Sequence, residues 1–292
     1  MKFGAIDAGG KRFICGITDE NGNTLEKTSF PTETPEKTIP SVIDFFKDKG
    51  ISALGIGCFG PLDLNPNSQT YGYITSTPKE SWRNYNIAGV FKENLNIPVF
   101  LDTNINVGLL GEATWGAAKN VKNSIYLTIG TGIGGGAIVE GKLIHGLIHP
   151  EMGHIFVSRH PRDKFTGNCP FHGGNCLEGM ASGPAIEKRW GHPLEKLSPD
   201  HPAWNLEAYY IAHALVNYIL VLSPEKIILG GDVMKHKHLF PIIRKAVIKL
   251  LNGYVQNDSI FKEIDNYIVS TDLGENSGFF GAAALCIKNF KK

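Results

Sequence analysis

Three chemistries lie close together between residues 126 and 184 of this 292-residue chain. The first is a glycine-rich stretch, Thr128-Ile129-Gly130-Thr131-Gly132-Ile133-Gly134-Gly135-Gly136. It reads as a loop whose backbone N–H groups can close on a phosphate without side-chain interference. The second is His149-Pro150-Glu151-Met152-Gly153-His154, where a carboxylate and an imidazole three residues apart can grip the hydroxyls of a sugar. The third is Cys169, His172 and Cys176, running straight into Leu177-Glu178-Gly179 and Ser182-Gly183-Pro184. An anion cradle, a hydroxyl-binding pair and a metal-type knot together point to a phosphotransferase acting on a small polar substrate.

Each signal also has a plainer reading. A single glycine turn is more often only a tight turn. Here there are three, at Gly9-Gly10, Gly130–Gly136 and Gly230-Gly231, and Thr128 and Thr131 add hydroxyls to the middle one. None is a P-loop or a dinucleotide fingerprint. Glu151 and His154 on their own would read as a solvated turn. Cys169 and Cys176 could pair as a disulfide, which a reducing compartment disfavours. With His172, and with His154 as the fourth ligand, they match the closed tetrahedral set of a structural zinc. That metal would also fix the backbone that presents Glu151.

The elements that must hold these residues read as α/β. Strands are expected at Phe3–Ile6, Phe13–Thr18 and Thr24–Phe30, the last two joined through Asn21-Gly22, a strong hairpin signal. Prolines from Pro31 to Pro40 break the pattern before a helix from Pro40 to Lys49 and a strand at Ala53–Gly57. The stretch Asp63–Trp82 has no helical period, and its length suits a ligand-facing role. Then come a helix Ile87–Asn94, a strand Val99–Leu101 and a helix from Asn104 to Ala118. The second half offers strands Ser124–Ile129, Ala137–Val139, Lys226–Asp232, which ends in glycines, and Tyr267–Val269. Its helices are expected at Pro184–Trp190, Trp204–Leu222, Phe240–Leu251 and Gly278–Ile287. Each half opens on a hairpin-like strand pair around a glycine turn. Two lobes are therefore expected, residues 1–115 joined by 278–292, and residues 116–277.

Composition narrows the partners. The 29 basic residues balance 28 acidic ones with no block of like charge, which argues against nucleic acid and anionic membrane surfaces. Asp7 interrupts the apolar start, and no segment approaches the ~18 uninterrupted apolar residues of a membrane span. Five cysteines, three of them scattered singly (Cys15, Cys58, Cys286), make no disulfide framework. A cytoplasmic protein is expected.

Asp7-Ala8-Gly9-Gly10, Gly60-Pro61, Thr77-Pro78-Lys79, Gly111-Glu112, His149–His154, Cys169–Glu178 and Leu229-Gly230-Gly231 follow one another in a familiar order. On these motifs the sequence resembles, essentially end to end, the ROK family of repressors, open reading frames and sugar kinases. His172 in the cysteine cluster looks like the bacterial fructokinase branch. The resemblance implies a two-lobed actin–hexokinase-type (ribonuclease H-like) fold with a structural zinc site, ATP and sugar meeting between the lobes. It implies sugar contacts from Glu151, His154 and Glu178, with the loop Thr77, Pro78 and Lys79. It implies nucleotide contacts from Gly9, Gly10, Thr131, Gly132, Gly183, Pro184, Gly230 and Gly231, magnesium accompanying ATP, and a homodimer.

Three places depart from the family pattern. Lys11 and Arg12 stand where it reads Thr-Lys, and Asp232 ends the third glycine loop. Asn104 occupies the position of the aspartate that serves as general base, with Asp102 just upstream as a possible substitute. Two readings stay open on this basis. One is an ATP-dependent hexose kinase converting D-fructose to fructose 6-phosphate. The other is a sugar-binding relative with impaired or silent catalysis, since every departure lies on the phosphoryl-transfer side. A repressor is not expected, because no helix-turn-helix segment precedes Met1.

Overall fold

A computed structural model describes residues 1–291. Short apolar runs separated by glycine turns pair into two five-stranded sheets. The first contains β1 (Lys2–Ala8), β2 (Arg12–Asp19), β3 (Thr24–Pro31) and β4 (Leu54–Cys58). After a two-stranded ribbon, β5 (Tyr73–Ile74) with β6 (Tyr85–Asn86), it is completed by β7 (Val99–Thr103). The strand order is β3-β2-β1-β4-β7. β4 is buried at every residue, as a central parallel strand covered on both faces must be, whereas the edge strand β3 carries Glu26 and Lys27 outward.

The second sheet contains β8 (Ser124–Ile129), β9 (Ile133–Val139), β10 (Lys142–Leu143), β11 (Lys226–Gly230) and β12 (Ile268–Ser270). Its order, β10-β9-β8-β11-β12, repeats the first. In each sheet the leading strand is antiparallel to the next and parallel to the fourth, and the fourth is parallel to the fifth. The faint echo between the halves of the sequence is thus a repeated topology.

Ten helices of at least four residues are described: α1 (Pro35–Phe46), α2 (Ile87–Leu95), α3 (Asn104–Trp115), α4 (Leu177–Ala181), α5 (Gly183–Trp190), α6 (Ala203–Leu222), α7 (Leu239–Leu251), α8 (Asp258–Phe261), α9 (Ile264–Tyr267) and α10 (Ser277–Phe290). α1 begins before the expected Pro40. Pro35 takes the start of the helix, where a missing N–H is harmless, and Pro40 is carried inside because Ile39, Val42 and Phe46 pack into the core. α3 stops at Trp115 rather than Ala118, since Gly116 leaves the helical path and Ala117 N turns to the Glu112 carboxylate at 2.8 Å. Among the described residues no helix is long and apolar enough to cross a membrane.

The chain divides into two compact units. The first takes Met1–Asn120, Leu143–Pro150 and the residues from Asp272 on; the second takes Val121–Lys142 and Glu151–Thr271. Leu143–Pro150, expected in the second lobe, therefore goes with the first. Within the first unit α10 packs on α3, β1 and β4. The approach is close because glycines line it. A Cβ on Gly281 would overlap the Val107 carbonyl, and one on Gly55 would overlap that of Ala282. The buried Glu112 carboxylate then ties the two helices. One oxygen accepts from Leu273 N at 3.1 Å and Ser277 Oγ at 2.7 Å, the other from Ala117 N and, at 3.2 Å, Asp272 N.

The Gly281 clash is with backbone, so no side-chain rotation can relieve it. Gly281→Ala should cost about 1–3 kcal/mol in urea unfolding. Gly146→Ala, where the nearest atom is 3.8 Å away, should stay within about 0.5 kcal/mol of the parent. Equal midpoints for the two variants would refute the close-packing account.

Candidate functional site

In the second unit the run Gly130–Gly136 is not one loop. Gly134, Gly135 and Gly136 lie in β9, paired with Thr128, Leu127 and Tyr126. A Cβ on Gly135 would meet Leu127 and Met152 at 2.6 Å, so this glycine serves packing rather than a ligand. The turn itself is Gly130-Thr131-Gly132, closed by Gly130 N donating to Gly132 O at 2.9 Å. The N-terminus of α5 docks here, with Gly183 N donating to Gly130 O at 2.7 Å. Ser182 Oγ caps the helix through Ala185 N, and Pro184 fills its first turn. Gly231, at φ +88°, passes so close to the Ile129 backbone that a Cβ there has no room. Gly130–Gly132, Gly183-Pro184 and Gly230–Asp232 thus converge at the carboxyl ends of parallel β8 and β11. Helix dipole and backbone N–H groups make this place favourable to an anion. Asp232 adds little repulsion, because its carboxylate pairs with Lys235 Nζ at 2.9 Å.

The first unit repeats the device between β1 and β2. Gly9 N donates to Arg12 O at 3.0 Å, and Thr32 holds the turn through Lys11 O and Gly9 O. Lys11 and Arg12 are exposed. Of the expected sugar loop, Thr77 is internal: its Oγ accepts from Lys79 N at 3.3 Å, and its carbonyl accepts from Arg83 Nε at 2.8 Å. Pro78 is exposed, and the Lys79 stem lies beside Gly10. Lys79 thus reaches the Gly9-Gly10 turn. Asp7, which sequence reasoning left among the motif residues without a role, is the last residue but one of β1, beside this turn. Its carboxylate has no hydrogen-bond donor among the described residues. Burial lifts it to about 7, partly offset by the Lys27 ammonium.

Asn104 is the first residue of α3, half-buried, and its amide has no side-chain partner among the described residues. Thr103 caps the helix by accepting from Asn106 N at 3.2 Å. Asp102 is fully committed. Its Oδ1 accepts from Thr103 N at 2.7 Å and Asn106 Nδ2 at 2.9 Å, and its Oδ2 pairs with His145 Nε2 at 2.8 Å. Both of its oxygens are thus already hydrogen-bonded within the chain. The Asp102 hydrogen bond in turn raises the His145 pKa. No sequence signal marked His145, because its partner lies 43 residues away.

The metal-type residues do come together. Ligand atoms of His154, Cys169, His172 and Cys176 all lie within 4.8 Å of one another. Cys169 Sγ is 3.9 Å from His154 Nδ1 and 3.6 Å from His172 Nδ1, and Cys176 Sγ is 3.7 Å from His154 Nδ1. Zinc–sulfur and zinc–nitrogen bond lengths give a tetrahedral S···N edge of about 3.6 Å, so the cluster fits this metal. The cysteines are free thiols, and burial pushes Cys176 up to about 11. A metal entering here must displace that proton. The other nitrogen of His154 faces Glu178 Oε1 at 3.8 Å, and Glu178 Oε2 accepts from Ile133 N at 2.9 Å. His154 therefore links the cluster to the glycine turn. Glu151 is exposed at the start of the Met152–His154 turn. His149 is buried, its Nε2 accepting from Leu62 N at 3.2 Å.

The raised pKa of Asp7 has a signed consequence. A carboxyl whose folded pKa exceeds its unfolded value contributes stability below the unfolded value, and that stability is lost as pH rises through the folded one. Asp7→Asn should gain melting temperature relative to the parent as pH rises from about 5 to about 8. A gap that does not change with pH would show that the carboxylate is well solvated.

The pattern that defines the ROK family matches residues 3–289. The fructokinase of Lactococcus lactis subsp. cremoris is 50% identical over 257 residues, covering 87% of this chain and 86% of that protein. The fructokinase of Pediococcus pentosaceus is 44% identical over 285 residues, covering 98% and 97%. Among solved structures, the ROK hexokinase from Thermus thermophilus superposes with a TM-score of 0.80 at 25% identity, over 100% of this chain and 99% of that one. The doubled sheet is thus of the actin–hexokinase type, and the match spans the sequence rather than one motif. This chain belongs to the ROK family.

Proposed function

We propose that the protein is a sugar kinase that transfers the γ-phosphoryl group of ATP to D-fructose, giving fructose 6-phosphate and ADP. The observation that carries this reading is the 44–50% identity to proteins named fructokinase over most of their length. That extent of likeness also favours catalysis over a silent sugar-binding protein. A coupled ADP-release assay with fructose, glucose and mannose tests it directly: fructose should give the highest kcat/KM, and no turnover with any of the three would refute it.

The residues suit the roles assigned to them. Gly130-Thr131-Gly132, Gly183-Pro184 and Gly230–Asp232 offer backbone donors to the nucleotide, and Gly9-Gly10, with Lys11, Arg12 and Lys79, offers a turn and cations to phosphates. Magnesium bound with ATP would neutralise phosphate charge, and Asp7, a hard oxygen donor without a partner of its own, fits as its protein carboxylate. Glu151 and Glu178 accept from sugar hydroxyls. In the transfer the 6-hydroxyl oxygen forms a bond to the γ-phosphorus. The bond to the bridging oxygen breaks, and ADP leaves with its electron pair. The hydroxyl proton must also depart. The Asn104 amide can orient that hydroxyl but has no basicity to take the proton. General-base assistance spans about 10²- to 10⁴-fold, so Asn104→Asp should raise kcat, by at least about tenfold even where other steps come to limit turnover, with little change in fructose affinity. An unchanged kcat would remove position 104 from the chemistry.

His154, Cys169, His172 and Cys176 would hold one zinc as a closed cross-link of the loop that presents Glu151 and Glu178. Elemental analysis should find about one zinc per chain, and chelation should lower the melting temperature. A metal-free preparation of full stability and activity would exclude the site. From the resemblance we also infer a cytoplasmic homodimer, with twice the chain mass in light scattering.

A further inference from the structure

The segment Leu143–Pro150 lies on the first unit and is pinned there by two histidines. His149 accepts from Leu62 N, and His145 reaches Asp102. Between the pins the segment bows outward, with Leu147 fully exposed and Ile148 largely so. It packs through these two rings and not through its apolar side chains. The His145 ring meets Asp102 Oδ2 through Nε2 at 2.8 Å, and Asn106 Nδ2 lies 3.5 Å from the same nitrogen. The hydrogen bond to that carboxylate raises the His145 pKa and so favours the ring form that donates to Asp102.

What His145 does hold is the carboxylate on which the start of α3 depends. Asp102 Oδ1 receives Thr103 N and Asn106 Nδ2, the cap and the third residue of that helix. Asp102 is 4% exposed, so water has little access to replace a lost donor. Without a partner on Oδ2 the carboxylate would have to turn toward solvent, and Asn106 would lose its acceptor. Asn104 sits between these two contacts.

Resting on the kinase reading above, we propose that His145 is a positioning residue for phosphoryl transfer: through Asp102 it fixes the first turn of α3 and with it the side chain at position 104. The test compares the full chain with His145→Phe, which keeps a ring and removes the donors, and with His145→Gln, which keeps a donor toward Asp102. The Phe variant should lose about tenfold or more in kcat while its fructose KM stays within about threefold, and the Gln variant should return to within about threefold of the parent kcat. Hydrogen exchange at the amides of Ile105–Gly108 should be about tenfold faster in the Phe variant and near the parent rate in the Gln variant. Unchanged kcat and exchange in the Phe variant overturn the proposal. So does a raised KM at constant kcat, which would make His145 a sugar contact, or an equal loss in both variants. Should the Phe variant fail to fold, Asp102→Asn weakens the same pair from the other side and must show the same loss of kcat. If the unmodified protein phosphorylates no sugar, the kinase reading falls on that result alone. The exchange comparison still decides whether His145 orders the first turn of α3.

Discussion

Backbone meets backbone where α3 crosses α10, and the first unit depends on that crossing. Gly281 yields its side chain to the Val107 carbonyl, Gly111 to the carbonyl of Ser277, and Gly55 of β4 to that of Ala282. Close approach of this kind tolerates no sliding, because each contact is with a rigid peptide rather than a flexible side chain. Glu112, on α3, then fixes register along the crossing by accepting from Ser277 Oγ of α10 and from Asp272 N and Leu273 N ahead of that helix. The crossing thus sets the axis of α3 and leaves its first turn, where Asn104 lies, to local contacts. Asp102 and Thr103 have only to finish the first turn.

The same five-strand order carries different residues ahead of its two glycine turns. In the first unit the leading hairpin carries Asp7 ahead of Gly9-Gly10; in the second it carries Thr128 ahead of Gly130-Thr131-Gly132. A carboxylate suits a cation held beside phosphates, whereas a neutral hydroxyl and a docked helix N-terminus suit the phosphates themselves. The repeated frame thus carries a carboxylate two positions before one glycine turn and a hydroxyl two positions before the other.

Much of this was legible in the sequence. Period and punctuation located nearly all the strands and long helices, and β8 was read to the residue. The metal-type cluster was readable because cysteine and histidine at tight spacing have few other uses. The misreadings have local causes. Gly134–Gly136 looked like loop because glycine is permissive anywhere, yet here it is small enough to let Met152 and Leu127 approach β9. Pro40 looked like a helix boundary, but burial of Ile39, Val42 and Phe46 outweighs one lost hydrogen bond. Thr77 and Lys79 are adjacent to the same proline and yet one is internal and the other reaches Gly10; no pattern along the chain encodes that. His145 was silent for the same reason. Its meaning lies wholly in a partner brought near by the fold.

The path of the chain also bears on how the protein is made. Residues from Asp272 on return to the unit with which the chain began, and α10 supplies Phe279, Ala282, Ala283 and Leu285 to a core shared with Ala5, Val107 and Leu110. Every strand of the second sheet, by contrast, has been synthesised by Ser270. Translation, which delivers the N-terminus first, therefore completes the first-begun unit only after the second sheet, and its apolar faces must wait for α10. A chain released at Thr271 would keep all five strands of the second sheet while leaving bare the surface of β1, β4 and α3 that α10 covers.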